Sequence, residues 1–331
     1  MSQRDDIFRG FQNQSVYDDV RDENARFYNE QIKPFVEDLF PSSDYEEPFF
    51  YTQESRNPGE LSTALYRLAD KLDVPEEQAY VLAGAAELGA GNTLVIDDII
   101  DNDEVRYGRN SAWKEFGIDE ALLAAGMVQE DLHLMMSNLN NEAHKSVTEG
   151  FENTYQSWFK EKEIKDSSID EVSRDDLYSI CQSKTAIGTG SLRALGILAG
   201  LETEEIATLE EYGLKKGTAW QISNDLEEIA GDDRDNNHRD YSDLLNGYPT
   251  IPMLIGWNNM NLEDRKRFEG NFPSENIDEA EKAINLLKEN NAYVDSIMHG
   301  EELLEAADEG LNEVHADASQ VLERFSPVLW P

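Results

Sequence analysis

The residues best suited to chemistry in this chain are the carboxylates that end the apolar stretch Leu94 to Asn110, LVIDDIIDNDEVRYGRN. On a helix, Asp97 and Asp101 are four residues apart and share a face, with Asp98 beside them. Carboxylate oxygens gathered on one turn can bind hard divalent cations such as Mg2+. The leucine, valine and isoleucine residues around them predict a buried helix, where an unpaired charge is costly. This cost favours a metal site over a solvated acidic patch.

A second acidic turn follows in GTAWQISNDLEEIAGDD, where Asn224, Asp225 and Glu228 repeat the same spacing behind an uncharged run. Two such helices facing each other could hold several Mg2+ ions between them. Mg2+ usually takes few carboxylates and completes its coordination with water and phosphate oxygens. The two acidic turns together therefore predict a site for a diphosphate group.

Basic residues accompany the acidic turns. Arg106 and Arg109 follow the first turn directly, and Lys184 lies in SICQSKTAIGTGSL, a mostly uncharged segment. Guanidinium and ammonium groups bind phosphate oxygens through charged hydrogen bonds. A lone lysine in such a helix either needs an anionic partner or extends to the helix end.

Helices must position these residues, because apolar residues recur at spacings of three and four while strand-like alternation is nearly absent. The sequence predicts an all-α protein with helices near residues 17–40, 60–72, 76–103, 119–140, 173–199, 203–230, 276–290 and 300–325. Pro75, Thr203 and Ser274, each followed by glutamates, mark predicted helix starts. Breaks are expected at residues 41–48, 55–60, 165–170 and 231–249.

The charge balance excludes several classes of partner. Acidic residues outnumber basic ones 69 to 28, for a formal net charge of -41 and a pI near 4.2. Such a surface repels nucleic acid and anionic lipid, so we expect neither as a partner. The acidic residues are spread along the whole chain, which favours a halophilic host, because high salt screens their mutual repulsion.

The sequence also indicates a cellular compartment. A single cysteine, Cys181, excludes an internal disulfide and is typical of a reducing cytosol. The most apolar stretch, residues 81–100, carries Glu87, Asn92 and two aspartates, so a core helix is the better interpretation than a membrane span. The first residues lack the apolar segment of a signal peptide. We therefore expect a cytoplasmic protein without an integral membrane segment.

Four segments, in order and spacing over roughly residues 60 to 255, resemble the motifs of the trans-isoprenyl diphosphate synthases. DDIIDNDEVRYGR is similar to the first aspartate-rich motif, SKTA to the Lys-Thr motif, QISNDLEEIAGD to the second aspartate-rich motif, and SDLLNGYPTIP to the segment that follows it. The resemblance implies one domain over residues 1–331, an all-α bundle of antiparallel helices around a central apolar cavity. It also implies a homodimer, or a heteromer with a related synthase.

The resemblance further implies a chemistry. In that family, three Mg2+ ions grip an allylic prenyl diphosphate, which ionises and is attacked by isopentenyl diphosphate. Carried over residue by residue, the metal ligands are Asp97, Asp98, Asp101, Asp225 and Glu228. The first three of these, with Lys184, would be the catalytic residues. Diphosphate binding falls to Arg106, Lys184 and Gln221, with Arg109 as a further candidate. The small Asn92 and Thr93 upstream imply a longer product of about C20, as a geranylgeranyl diphosphate synthase makes.

The chain departs from the family mainly where the second substrate would bind. The region that matches a Gly-Lys-x-x-Arg segment reads ESRNPGEL and keeps only Arg56 as a base. Tyr107 replaces the second arginine of a pair, and two later lysines fall at His238 and Tyr248. In the second motif, Asn224 replaces a carboxylate. We therefore expect an allylic diphosphate to bind well and isopentenyl diphosphate to bind poorly.

Three functions are compatible with this pattern. The first is a prenyl diphosphate synthase whose second pocket is rebuilt, with Arg109 or Lys215 supplying lost charge. The second is a terpene-synthase-like enzyme that ionises and cyclises a prenyl diphosphate without isopentenyl diphosphate. The third is a non-catalytic subunit of an active prenyl diphosphate synthase. The intact DDIID motif, Arg106 and Lys184 favour the first, whereas Asn224 and the lost bases favour the third.

Overall fold

Helices form nearly all of the described structure. The computed structural model describes residues 14–39, 47–55, 58–230, 241–314, 316–325 and 328. In chain order the helices are α1 (Gln14–Phe27), a π-helical turn (Tyr28–Ile32), α2 (Lys33–Leu39), α3 (Glu47–Ser55), α4 (Glu60–Lys71), α5 (Glu76–Asp101), α6 (Ala112–Phe116), α7 (Ile118–Met136), α8 (Asn141–Ile164), α9 (Arg174–Lys184), α10 (Ala186–Leu198), α11 (Thr203–Ala230), α12 (Ser242–Asn246), α13 (Ile251–Asn259), α14 (Leu262–Glu269), α15 (Ile277–Glu289), α16 (Ala292–Val314) and α17 (Ala316–Phe325). The predicted all-α class is confirmed.

Most predicted helices are present, with informative differences at their ends. α5 begins directly after Pro75, and α11 begins at Thr203, as their sequences predicted. The prediction that Ser274 starts a helix was wrong, because the Asn276 side chain accepts from the Glu279 amide and α15 begins one residue later. The predicted helix 173–199 is two helices, α9 and α10, which are separated at Thr185.

Helix α8 was not predicted, although it is one of the longest in the chain. It begins after Asn140, whose side chain accepts a hydrogen bond from the Ala143 amide. Its buried face includes Ser146, Gly150 and Thr154, so small and polar residues interrupt the apolar period that would have revealed it. These small residues allow α10 to lie unusually close to α8.

The contact between α8 and α10 is made through glycine. A Cβ atom at Gly150 would lie 2.7 Å from the carbonyl oxygen of Ala186, and one at Gly190 would lie 2.7 Å from that of Ser146. The Ser146 hydroxyl donates to the Gly190 carbonyl oxygen at 2.9 Å. Two helices that are this close hold each other in a fixed register, which fixes the position of the C-terminal half of α8.

Helix α5 is the central helix of the N-terminal part of the fold and packs against α4, α7 and α10. Its Glu87 is fully buried and accepts hydrogen bonds from the backbone amide and hydroxyl of Ser62 on α4, at 3.2 and 2.8 Å. Of the described helices, α5 alone is long and apolar enough to cross a membrane, and 72% of its apolar window is buried inside the protein. These are the properties of a core helix.

A short β-hairpin follows α5. Strands β1 (Val105–Arg106) and β2 (Arg109–Asn110) pair antiparallel, with Arg106 opposite Arg109. The two residues between them, Tyr107 and Gly108, both have positive φ, at 53° and 74°. This is the backbone that a two-residue type I′ turn requires. The chain leaves α5 at Asn102, which has a left-handed backbone conformation, and Arg106 on β1 lies buried beside the acidic end of the helix.

Candidate active site

The C-terminal ends of four helices, α5, α8, α9 and α11, meet around one cleft. The last turns of α5 and α11 carry the two acidic clusters, and α9 ends at Lys184. The polar part of the cleft is lined by Glu161, Lys184, Gln221, Asp225, Asp243 and Tyr248. A helix C-terminus presents unpaired carbonyl groups and the negative end of the helix dipole. Together with the carboxylates, these ends make the cleft a place that attracts cations.

Asp98 and Arg106 form a buried ion pair at the end of α5. The Arg106 Nε donates to Asp98 Oδ1 at 2.7 Å, and its Nη2 also contacts Asp98. The same guanidinium lies 3.4 Å from Asp97 and 3.8 Å from Asp103. Asp98 is 0% exposed and Arg106 4% exposed. Breaking such a pair would leave a charge buried alone, which is strongly destabilising.

Asp97 is oriented from the opposite side by α8. The Trp158 indole Nε1 donates to Asp97 Oδ1 at 2.9 Å. The two oxygens of Asp97 are therefore divided, one facing α8 and the other facing Arg106. This arrangement fixes the direction of the carboxylate that heads the DDIID motif.

Lys184 lies between the two acidic turns. Its Nζ is 2.5 Å from the Glu161 carboxylate on α8. Burial lowers the pKa of Lys184, but the fields of Glu161, Asp243, Asp97 and Asp225 outweigh it, so the pKa lies well above its ordinary value. The lysine is thus a fixed positive charge. Carboxylates of both acidic clusters, Asp97 and Asp225, are close enough to raise its pKa.

The second acidic turn contributes Asp225, which is buried. Gln221, one turn earlier on α11, donates its Nε2 to Asp225 Oδ1 at 2.7 Å. In this structure Gln221 therefore supports a carboxylate. The side chain of Glu228, the other predicted ligand on this helix, lies outside the described residues. The same is true of Arg56 and His238.

The carboxylates of the cleft hold their protons unusually tightly. Burial raises the pKa of Asp98 to about 7, although Arg106 opposes the shift. Burial, with the charge of Asp97, raises the pKa of Asp101 to about 8 against the opposing effect of Lys184. Burial also raises the pKa of Asp225 to about 6, and Lys184 and the Gln221 hydrogen bond oppose it. Each of these oxygens would gain from a stronger cation than the protein provides.

This donor set fits a hard divalent cation. Asp97, Asp101 and Asp225 offer carboxylate oxygens, the ligands that Mg2+ prefers. Oδ2 of Asp98 is buried and has no hydrogen-bond partner. Among the described residues, no three acidic, histidine or cysteine side chains gather around a single ion position. Arg106 and Lys184 lie among the carboxylates instead.

Two predicted bases lie elsewhere. Arg109 stacks on the Tyr51 ring of α3, with its guanidinium carbon 3.7 Å from the ring centroid, and donates to the Tyr51 carbonyl oxygen. Lys215 pairs with Glu211 at 2.8 Å and points toward the Ala306 carbonyl oxygen of α16. The Lys215 ammonium group therefore lies between α11 and α16.

Sequence reasoning missed the contribution of α8. Trp158 and Glu161 contact Asp97 and Lys184, yet neither was a candidate because α8 itself was not predicted. A weak signal was present. Phe151, Trp158 and Lys165 recur at spacings of seven, with Glu161 three residues after Trp158, which places a polar end on an aromatic helical face.

The fold and the paired acidic turns define the class of the protein, an all-α enzyme with the isoprenyl synthase fold. Among solved structures, a geranylgeranyl pyrophosphate synthetase from Pyrococcus horikoshii aligns over 94% of this chain and 99% of that one, with a TM-score of 0.79 and 20% identity. This similarity establishes the fold.

The sequence comparisons identify the family. Residues 56–287 match the family described as Polyprenyl synthetase. The geranylgeranyl diphosphate synthase of Saccharolobus solfataricus is 30% identical over 253 residues, which cover 72% of this chain and 73% of that protein. The nonaprenyl diphosphate synthase of Mycobacterium tuberculosis is 26% identical over 217 residues, 65% of this chain and 64% of that protein. The chain therefore belongs to the polyprenyl synthetase family and is a prenyltransferase, which confirms the resemblance read from its motifs.

The raised pKa of Asp101 predicts a stability that depends on pH. Its folded-state pKa, about 8, exceeds the unfolded value of about 3.9, so the folded state binds this proton more tightly. The stabilisation from this proton is complete below the unfolded pKa and is lost as the pH rises through the folded pKa. Asp101→Asn should therefore be more stable than the unmodified protein at pH 8.5. The difference should shrink toward pH 5, changing by up to about 1.4 kcal/mol per pH unit.

Urea denaturation without metal, at fixed KCl and several pH values, measures this difference. Asp119→Asn, an exposed aspartate on α7, is the matched control and should show no trend over that range. A stability difference for Asp101→Asn that is constant from pH 5 to 8.5 would contradict the account of a desolvated carboxylate.

Proposed function

We propose that this protein is a Mg2+-dependent prenyl diphosphate synthase that condenses an allylic prenyl diphosphate with isopentenyl diphosphate to a product of about C20. The observation that carries the proposal is the cleft in which Lys184 lies with Glu161, Asp225 and Asp243, near the acidic end of α5. A site with acidic groups on two sides and a lysine at its centre suits a ligand that brings both metal ions and phosphate oxygens. The geranylgeranyl diphosphate synthases among the relatives support the product length.

In the proposed reaction, the bond between the allylic carbon and the diphosphate oxygen breaks, and the diphosphate leaves with the electron pair. The double bond of isopentenyl diphosphate then forms the new carbon–carbon bond, and a proton is lost to restore a double bond. Bound Mg2+ would neutralise the charge that develops on the leaving diphosphate. Asp97, Asp101 and Asp225 would hold the metal ions, with Asp98 and Glu228 as further proposed ligands.

The protein's own cations have a separate role. Lys184 and Arg106 are already in place before a ligand binds, so their charges need no reorganisation when the diphosphate departs. Trp158 holds Asp97 in position, and Gln221 does the same for Asp225. Leu177 and Ile180, on the apolar side of the same cleft, would keep water from the allylic cation.

The length of the product is proposed to depend on the region between α5, α7 and α8. Asn92, five residues before Asp97, is buried and donates to the Ala125 carbonyl oxygen on α7 at 3.0 Å. On α8, the Tyr155 hydroxyl donates to Gln129 at 2.5 Å. The small Asn92, five residues before the acidic turn, supports the proposed product of about C20.

The acidic surface supports a proposal about working conditions. With a net charge of -41, the molecule repels itself strongly at low ionic strength. Molar KCl shortens the range of this repulsion to a few ångströms. We therefore propose a halophilic, cytoplasmic enzyme, and high salt is the appropriate medium for each assay.

We also propose a homodimer, in which α7 forms the contact between protomers. Several of its apolar side chains are exposed, namely Ile118, Leu122, Leu123, Met127 and Leu134. Leu123, Met127 and Leu134 recur at helical spacing on one side of α7, and Leu123 and Leu134 are each 70% exposed. Exposed apolar side chains grouped on one helix of such an acidic protein are candidates for burial against a second copy.

Product analysis tests the proposed function. The protein is incubated in molar KCl with Mg2+, with each allylic diphosphate from C5 to C20, and with isopentenyl diphosphate present or absent. We expect isopentenyl diphosphate to be consumed and a product of about C20 to accumulate. Lys184→Gln should lower kcat/KM by about 10²–10³-fold, as expected when one preorganised positive group is lost.

Two results would contradict the proposal. Conversion of the allylic diphosphate to a hydrocarbon or alcohol without isopentenyl diphosphate would indicate a terpene-synthase-like reaction. A protein that binds the allylic diphosphate but turns it over only after a related synthase is added would be a non-catalytic subunit.

The dimer has its own test. Leu123→Glu together with Met127→Glu places two charges in the proposed contact and should convert the dimer to monomers, because a buried unpaired carboxylate is costly. Light scattering coupled to gel filtration in molar KCl measures the mass. Glu152→Gln, at an exposed position on α8, serves as the control. A dimer that survives the double substitution would place the contact elsewhere.

A further inference from the structure

One face of α8 lines the site, and residues on the same face continue beyond the site. Trp158, Glu161 and Lys165 follow one another at spacings of three and four, so they lie on the same side of the helix. Trp158 contacts Asp97 and Glu161 contacts Lys184. Lys165, the residue that caps α8, is the next position on this face. It is exposed and contacts Tyr248, a residue that lines the cleft, so it lies at the mouth of the cleft.

The position of Lys165 is fixed by Tyr248. The Lys165 Nζ is 5.2 Å from the centroid of the Tyr248 ring, a cation–π contact. The next residue, Asp166, donates its backbone amide to the Gly247 carbonyl oxygen at 2.8 Å. Gly247 has a φ of 73°, and a side chain there would clash with the Asp166 carboxylate. The segment after α8 and the segment before Tyr248 are thus joined at a close approach that needs glycine.

Tyr248 separates Lys165 from the carboxylates. It is 8% exposed and lines the cleft beside Lys184, Asp225 and Asp243. Burial, together with the charges of Asp101 and Glu161, raises the pKa of its phenol to about 12. The ring therefore forms a wall of the cleft, with acidic groups on one side and the Lys165 ammonium against it.

The other cations of the site are committed to carboxylates. Arg106 pairs with Asp98, and Lys184 pairs with Glu161. Within the described part of the chain, no carboxylate lies within ion-pair distance of Lys165, whose ammonium is held by the tyrosine ring alone. A cation held in this way can move to a phosphate oxygen without leaving a buried acid unpaired.

We propose that Lys165 is a substrate-binding residue, which contacts the diphosphate group of the prenyl substrate from the cleft mouth and uses the Tyr248 ring as its platform. Its ammonium group would supply the positive charge that is missing at position 248, where this chain has tyrosine and the family has a lysine. This inference rests on the proposed function, because it names a further contact of the same diphosphate. The four-carbon side chain of lysine provides the reach for the movement.

Calorimetry on the full chain tests the proposal without requiring turnover. Inorganic diphosphate and an allylic C10 diphosphate, each with Mg2+, are titrated into the protein at fixed high KCl. Lys165→Met removes the charge and keeps most of the side chain, and it should weaken both ligands by about tenfold or more, as for one lost charged hydrogen bond. Lys165→Arg, which keeps the charge, should stay within about threefold of the unmodified protein.

Lys162→Met is the matched control, since Lys162 is an exposed lysine on another side of α8. It should leave both affinities unchanged, which separates a local contact from the loss of one positive charge. Thermal midpoints of all variants are measured in parallel without ligand. A lowered midpoint for Lys165→Met with unchanged diphosphate affinity would show that the lysine only packs on Tyr248, and would overturn the proposal.

The failure of this inference can be told apart from the failure of the proposed function. If the unmodified protein makes product and Lys165→Met has the same affinity for diphosphate as the unmodified protein, only the role of Lys165 is refuted. If the unmodified protein binds diphosphate but makes no product, the proposed function fails, while weaker binding by Lys165→Met still supports the contact. If the unmodified protein binds neither ligand with Mg2+, both proposals are overturned.

Discussion

The main constraint on this structure is that the fold brings negative groups into one cleft, where their mutual repulsion must be balanced. Four helices end there, and each contributes the negative end of its dipole. Three of them also contribute carboxylates, among them Asp98 on α5, Glu161 on α8 and Asp225 on α11. Helix ends and acids of the same sign would ordinarily separate. They stay together because Arg106 and Lys184 are built into the space between them.

The rest of the fold serves this balance. Helix α5 is capped at its C-terminus by Asn102 in the left-handed conformation, and the short segment that follows brings Arg106 to Asp98. The glycine contact between α8 and α10 fixes α8, so that Trp158 and Glu161 reach across the cleft. Burial raises the pKa values of Asp98, Asp101 and Asp225, and the two internal cations offset this effect only in part. In the proposed function, the carboxylates of the cleft would bind metal ions, and the metal ions would bind a diphosphate.

The sequence predicted the parts of this arrangement that are carried by local pattern. The acidic turns follow apolar helical runs, so α5 and α11 and their charged ends were predictable from spacing, and four motifs in order indicated the family. The contribution of α8 to the site was not predictable in the same way. The buried face of α8 uses Ser146, Gly150 and Thr154, which pack well only because α10 lies close, and a tertiary contact of this kind leaves little periodicity in one segment.

Individual side chains show the same limit. Arg109 and Arg106 look equivalent in the sequence, but the hairpin buries Arg106 against Asp98 while Arg109 stacks on Tyr51. Lys184 was expected to need an anion, yet its partner Glu161 lies 23 residues away in a helix that the pattern did not reveal. Spacing along the chain identifies groups that can share a helical face, whereas partners across a cleft depend on how helices pack.

The central claim is that the cleft holds metal ions and a diphosphate together, each making the other's binding favourable. The most direct measurement is the thermal midpoint of the unmodified protein in molar KCl under four conditions: no addition, Mg2+, inorganic diphosphate, and both. A ligand that binds only the folded state raises the midpoint, and coupled ligands raise it by more than the sum of their separate effects. We expect small shifts with either alone and a much larger shift with both. Shifts that merely add, or no shift with both present, would contradict the account.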